Sequence, residues 1–379
     1  MKKILLIPDS FKGTMSSAEI CSIMERAILK FYPEATIIKI PVADGGEGSV
    51  DAFLTAVGGK KQIVTVKNPF FKDMASFYGM LSDGKTAVIE MAACAGLPLV
   101  ENNLNPEKTT TYGVGELMLD AIKNGCTKII IGLGGSATND GGCGAATALG
   151  VQFFDKAGKE FVPTGGTLSE INKIDSSKLH KTLASVEIVT MCDIDNPLYG
   201  KTGAAHIFGP QKGADEAMVK RLDSGLRHLA EIVQRDLRID AAHIHGAGAA
   251  GGMGYGMNVF THSKLQMGIE TILDTVQFDS LLDGADYVFS GEGKIDAQSL
   301  RGKVVIGIAR RTKKANVPLI AVVGDIGDNI ENAYDIGVSA VFSINRVAAN
   351  YEAAKLRAKN DMQLTVENIM RFIKLHRAH

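Results

Sequence analysis

The sequence predicts an α/β fold in which a parallel-sheet domain, built from separated pieces, is interrupted by a second, mixed α/β domain inserted in two parts. Strand-like apolar runs alternate with helix-period segments at the start of the chain and over its last hundred residues, which implies parallel pairing through right-handed crossovers. Short extended runs around turn signals interrupt that rhythm twice. The composition, 45% hydrophobic with 6% aromatic and no Trp, is the Ile, Val, Leu and Ala mixture of buried parallel strands. At 379 residues the chain is also long enough for two or three packed units.

Ile4 to Ile7 is a continuous apolar run and reads as the first strand. Ser16-Ser17-Ala18-Glu19 is a capping box, and Ile20, Ile23, Met24, Ala27, Ile28 and Phe31 then share one helical face. A second strand is expected at Ile37 to Val42, followed by a short helix with Val50, Phe53, Leu54 and Val57 on one side and Gly58 as its stop. Ser76–Leu81 and Thr86–Met91 flank an Asp83-Gly84 turn, which predicts an antiparallel hairpin. From Thr110 the α/β rhythm resumes with a helix stopped by Gly125 and a strand over Lys128–Leu133. A strand at Val186–Met191, a long helix near 214–237 and a Gly-rich segment at 246–256 follow. Further strands are expected near Tyr287–Ser290, Leu319–Val323 and Ala340–Ser343, and a closing helix from about 351 to 375. The resulting partition assigns 1–62, 113–148 and 277–379 to the parallel domain and 63–112 and 149–276 to the inserted one, with a ligand expected in the cleft between them.

Charge narrows the partners. Lys+Arg 41 against Asp+Glu 42 leaves a formal charge of −1 without a basic tract, so neither nucleic acid nor a membrane surface is an expected partner. No apolar stretch approaches the length of a membrane span. Cys21, Cys94, Cys126, Cys143 and Cys192 form no C-x-x-C pair and are odd in number, which points to a reducing, cytoplasmic setting. Lys2-Lys3 before Ile4–Ile7 imitates a signal peptide, but Pro8-Asp9 ends the apolar run too early.

Three loops leave expected strands at their carboxyl ends, the edge where open parallel sheets bind ligands. Asp9-Ser10-Phe11-Lys12-Gly13 offers a carboxylate, a hydroxyl and an ammonium beside a helix start, although an ordinary solvated βα turn has the same look. The second is Asp44-Gly45-Gly46-Glu47-Gly48. In the third, Gly134-Gly135-Ser136-Ala137-Thr138-Asn139-Asp140-Gly141-Gly142, two glycine pairs permit close backbone approach while four polar types stand within five residues, more than a turn requires. Asp193 and Asp195 alternate after the strand Val186–Met191 and suit a metal or a proton transfer; Ala204 excludes an EF-hand. Gly209-Pro210-Gln211-Lys212-Gly213 holds a cation in a Gly/Pro frame, and Gly291-Glu292-Gly293-Lys294-Ile295-Asp296 places acids just past Ser290. Acidic loops are often merely solvated.

Taken together, these segments resemble the type I glycerate kinase family. The resemblance spans essentially the whole chain through Ile7–Gly13, Ala43–Gly48, Gly134–Asp140, Cys192–Leu198, Phe208–Gly213 and Gly291–Asp296, in that order. It implies a Rossmann-like parallel domain interrupted by a mixed α/β domain, and ATP-dependent phosphorylation of D-glycerate, usually to 2-phosphoglycerate, with a divalent ion that is normally magnesium. Val305 stands where the family commonly has Pro, and Thr14-Met15 where Ser-Leu is frequent, departures that touch local loop shape only.

Phosphoryl transfer needs charge neutralisation, positioning and a base for the acceptor hydroxyl. Lys12, Lys212 and Lys303 are candidate phosphate or carboxylate partners, Asp193 is the expected base with Asp44 as runner-up, and Glu292 and Asp296 are expected metal ligands, directly or through water. Substrate and nucleotide are expected at Asp9 and Ser10, at Gly45, Gly46 and Glu47, and at Gly134, Gly135, Ser136, Thr138, Asn139 and Asp140. Asn196 and Gln211 complete that set with Gly248, Gly251 and Gly252, whose amides suit phosphates. The sequence leaves open which hydroxyl of glycerate reacts and how the chain assembles.

Two other readings compete. Gly132-Leu133-Gly134-Gly135-Ser136-Ala137 fits G-x-G-x-x-A with Asp155 following, so a nicotinamide-dependent oxidoreductase of a small hydroxy acid is the leading alternative, although Asp140 would repel a pyrophosphate there. A non-catalytic sugar-acid sensor is the other. Gly246–Gly251 fits G-x-G-x-x-G without a preceding strand, and His243 and His245 lack a third ligand for zinc. Gly79–Thr86 matches the Walker A pattern, but the β-branched run after Lys85 predicts a strand where that loop needs a helix.

Overall fold

The computed structural model describes residues 2–43, 45–296, 299 and 302–377. The chain divides into two units, one of Met1–Ala43, Thr55–Val57 and Ile269–His379, the other of Asp44–Leu54 and Gly58–Gly268.

The first unit is a doubly wound α/β structure. Its five strands are all parallel and lie in the order Val338–Ser343, Leu319–Val323, Tyr287–Ser290, Lys3–Leu6, Thr36–Lys39. Ile4, Leu5 and Leu6 are fully buried, as are Leu319 and Ala321–Val323, because the inner strands are covered on both faces. Helices Ser17–Leu29 and Tyr351–Arg377 pack on one face through Ile20, Met24, Ile28, Met362, Val366 and Met370. The capping box forms as expected, with Glu19 N donating to Ser16 Oγ and Ser16 N to Glu19 Oε2.

The second unit holds a six-stranded sheet in the order Lys264–Gln266, Glu187–Met191, Lys128–Gly132, Thr86–Glu90, Asp73–Leu81, Gly59–Lys67. Its first four strands are parallel and the last two antiparallel. This departs from the expected partition. Residues 113–148 lie in the second unit, since Ile129 and Ile131 pair with Ile188 and Thr190 on one side and with Ala87 and Ile89 on the other. A βα rhythm identifies a parallel strand but not the sheet it joins. The long helix runs over Glu216–Leu237 with Asp215 as its N-cap, and a three-stranded antiparallel sheet of Gln152–Phe154, Glu160–Phe161 and Lys173–Asp175 packs into the same core.

The Walker-like stretch is a hairpin. Asp73–Leu81 and Thr86–Glu90 pair antiparallel, while Asp83 accepts hydrogen bonds from Lys85 N, Thr86 N and Thr86 Oγ1. A strand, Thr86–Glu90, follows the turn where a phosphate loop needs a helix, and Lys85 is exposed.

Candidate active site

In the first unit the strand order reverses between Lys3–Leu6 and Tyr287–Ser290. One connection leaves toward Thr36–Lys39 and the others toward Leu319–Val323, which opens a crevice at the carboxyl ends of that pair. The loops leaving these strands are tied together: Asp9 N donates to Gly291 O (2.8 Å) and Ser290 Oγ to Ile7 O (2.9 Å). Asp9 Oδ1 accepts from Ser10 N at 2.7 Å, and Lys12 is exposed.

Glu292 is buried, and its Oε1 has no hydrogen-bond partner among the described residues. Burial pushes its carboxyl up to about 7, Lys303 and a hydrogen bond with Ser299 oppose that rise, and Asp9 and Asp296 add to it. Asp296 Oδ1 accepts from Ser299 N, so the second acid is anchored beside the first. Lys303 is the N-cap of helix Val304–Lys314, and its side chain makes no cap hydrogen bond. Among the described residues no three carboxylate, thiol or imidazole side chains converge on one point. Magnesium does not demand that, because it binds through one or two carboxylates plus phosphate oxygens and retained waters. A divalent cation on Glu292 Oε1 satisfies the orphaned oxygen and relieves the repulsion from Asp9 and Asp296, so the residues fit.

In the second unit the glycine loops pack backbone to backbone. Gly134 N donates to Gly45 O at 2.9 Å, and a Cβ on Gly134 would lie 2.5 Å from Gly46 Cα. Asp140 is fully buried and accepts from Thr111 N and Oγ1 (both 2.8 Å), Gly142 N (3.1 Å) and Gly144 N (3.2 Å). It therefore occupies the start of helix Cys143–Ala148 as an internal anion. Glu90, also buried, does the same at helix Ser49–Val57, its Oε1 accepting from Val50 N at 2.6 Å. The amides of Val50, Gly142 and Gly144, at the helix starts that follow the two glycine loops, thus face the chain's own carboxylates.

Beneath this loop lies Lys212, 1% exposed, with Nζ donating to Ser136 Oγ (2.9 Å) and Thr138 O (2.7 Å). Burial pulls its ammonium down to about 7, while Asp140 acts in the opposite sense. Thr138 and Asn139 are fully buried, and Thr138 Oγ1, Asn139 Oδ1 and Asn139 Nδ2 have no hydrogen-bond partner among the described residues. Gly251 and Gly252, at φ +67° and +89°, bend the backbone against this loop; a Cβ on Gly251 would sit 2.0 Å from Thr138 O. Gly251→Ala is expected to destabilise the chain by about 2 kcal/mol or more, since it adds both a left-handed alanine and a backbone clash. An unchanged thermal midpoint in that variant would show the packing to be wrong.

Gly45, Gly46, Gly134, Ser136, Thr138, Asn139, Asp140, Lys212, Gly251 and Gly252 thus form one neighbourhood. Gly248 N is held by Asn196 O, and Asn196 Nδ2 by Thr202 O. Glu47, Gly135 and Gln211 are exposed. Asp193 is exposed at the end of Glu187–Met191, with Oδ1 accepting from Gly268 N, the first residue of helix Gly268–Thr275, at 2.7 Å. Asp44 lies outside the described residues. Sequence reasoning missed Glu90, which had no local signal, and Thr109 and Thr111, for which the run Thr109-Thr110-Thr111 ahead of a helix was the available hint; Thr109 Oγ1 donates to Ala137 O at 2.9 Å.

A nicotinamide reading fails on two counts. Asp140 fills the helix start that a pyrophosphate needs, and Asp155 follows a strand of the small antiparallel sheet, where its Oδ1 accepts from Ala157 N and Lys159 N.

Residues 4–374 match the model of the glycerate kinase family. The chain is 44% identical over 368 residues to a glycerate kinase of Bacillus cereus, covering 97% of each. It is 43% identical over 343 residues to the glycerate 2-kinase of Escherichia coli K12, covering 90% of each. Its structure is similar to a crystal structure assigned as glycerate kinase 2 from Salmonella typhimurium LT2, with a TM-score of 0.88, 39% identity and full coverage of both chains.

Proposed function

Because the chain belongs to the glycerate kinase family, a class of phosphotransferases, we propose that it transfers the γ-phosphoryl group of ATP to the 2-hydroxyl of D-glycerate. The observation that carries the ATP-dependent part is the acidic pair Glu292 and Asp296 at the reversal of the parallel sheet, with Lys303 at an adjacent helix start. A polyanionic triphosphate chain needs counter-charge and N–H donors; Lys303 and a cation on the acidic pair would supply the first and the helix start the second.

Glu292 and Asp296 would hold the divalent ion, which when bound neutralises charge on the transferring group. Lys303 and Lys12 add positive charge, and Asp9 and Ser10 order the neighbouring turn. Asp193 takes the proton of the acceptor hydroxyl, with one carboxylate oxygen already oriented by Gly268 N. The 2-position is favoured by the relative named glycerate 2-kinase.

Phosphorus NMR of the reaction with D-glycerate, ATP and magnesium tests this directly. A 2-phosphoglycerate resonance is expected; a 3-phosphoglycerate resonance would reverse the regiochemistry, and none at all with folded protein would sink the proposal. In the same assay Lys85→Ala should leave the KM for ATP and the turnover within about twofold, since its hairpin lacks a helix start for phosphate. A hundredfold loss there would move the nucleotide to that turn.

A further inference from the structure

Resting on that reading, we infer that the buried group of Lys212, Asn139 and Thr138 is the receptor for the hydroxy-acid end of the substrate, its carboxylate and one hydroxyl, and not a phosphate site. Lys212 Nζ is bonded to two neutral oxygens, Ser136 Oγ and Thr138 O, while the hydrogen bonds of the nearby Asp140 go to Thr111, Gly142 and Gly144. Among the described residues an ammonium in that position has no directly bonded counter-charge, which a bound anion supplies.

The unpartnered atoms decide which anion. Asn139 contributes one donor, Nδ2, and one acceptor, Oδ1, and Thr138 Oγ1 can act either way; all three are buried. A phosphate dianion presents acceptors only, so it would leave Oδ1 facing another acceptor. A hydroxy acid presents both kinds: carboxylate oxygens for Lys212 and Nδ2, and a hydroxyl proton for Oδ1. Flipping the amide exchanges the two positions without changing that count. The neighbouring helix starts, already filled by Asp140 and Glu90, likewise select against phosphate here.

The test uses the full chain with three probes, D-glycerate, glycerol and ADP, in titration calorimetry alongside steady-state kinetics. Asn139→Leu is the primary variant, because the side-chain amide makes no hydrogen bond among the described residues and its removal should leave the thermal midpoint level or raised. It is expected to weaken D-glycerate binding and raise its KM by about 10- to 100-fold, while ADP affinity and the KM for ATP stay within threefold. Lys212→Met should weaken D-glycerate further, and glycerol, which lacks the carboxylate, should bind far more weakly than D-glycerate to the unaltered chain. Unchanged D-glycerate affinity in Asn139→Leu, or a loss confined to ADP and ATP, overturns the assignment. If Lys212→Met does not fold, Asn139→Leu decides alone. Should the unaltered chain bind D-glycerate through Asn139 yet form no phosphoglycerate, the kinase reading falls and this one stands.

Discussion

Asp193→Asn is expected to lose about 10²- to 10⁴-fold in turnover with the KM for ATP little changed. The substitution isolates proton transfer. Asp193 Oδ1 accepts from Gly268 N at 2.7 Å, and an asparagine amide oxygen accepts the same bond, so the cap on helix Gly268–Thr275 survives. What asparagine cannot do is take a proton from an alcohol. Phosphoryl transfer has little covalent work for the protein, and the loss should therefore appear in kcat while ATP binding, in which Asp193 has no proposed part, stays as before. Asp193→Ala separates the two roles further, since it removes the cap as well and should lower the thermal midpoint. Near-normal turnover in Asp193→Asn, measured at saturating substrates, would pass the role to Asp44 or to solvent.

Asp193 also illustrates how far the sequence carries. Its place at the end of a strand was legible because Val186, Ile188, Val189 and Thr190 make a β-branched run ahead of turn residues, and Ile4–Ile7 and Leu319–Val323 were legible because burial on both faces leaves no polar interruption. The capping box at Ser16–Glu19 was legible because all its partners lie within one turn. The domain partition was not. Lys128–Leu133 carries the same apolar pattern whichever sheet it enters, and nothing local distinguishes pairing with Tyr287–Ser290 from pairing with Glu187–Met191.

The site residues divide along the same line. The glycine-rich loops announced themselves, yet their meaning depended on distant carboxylates: Glu90 reaches Val50 across 40 residues, and Asp140 reaches Thr111 across 29. A glycine loop before a helix reads as a phosphate cradle until the internal anion is seen. Lys212 was recognisable as a cation in a Gly/Pro frame, but its burial beneath Ser136 and Thr138 joins segments 74 to 76 residues apart.

Glu292→Gln should lower turnover about 10²-fold or more and raise the magnesium concentration needed for half-maximal rate, while making the metal-free chain more stable at pH 8. The two effects share one cause. Burial holds the Glu292 carboxyl at about 7, above its ordinary 4.5, with Asp9 and Asp296 adding to the rise. Between pH 4.5 and 7 the folded chain therefore binds more protons than the unfolded chain, and stability falls as pH rises through that window. Above pH 7 the full penalty of a buried charge remains, on the order of 3 kcal/mol for a shift of this size. Glutamine carries no such charge, so the variant's advantage should be absent at pH 4 and greatest at pH 8. Magnesium should narrow that gap, because it gives Glu292 Oε1 the partner it lacks among the described residues, and glutamine offers it only a neutral oxygen. Thermal midpoints at pH 4 and pH 8, with and without magnesium, check the sign of each step. A variant that is no more stable than the unaltered chain at pH 8, and that keeps its magnesium requirement, would place the metal elsewhere.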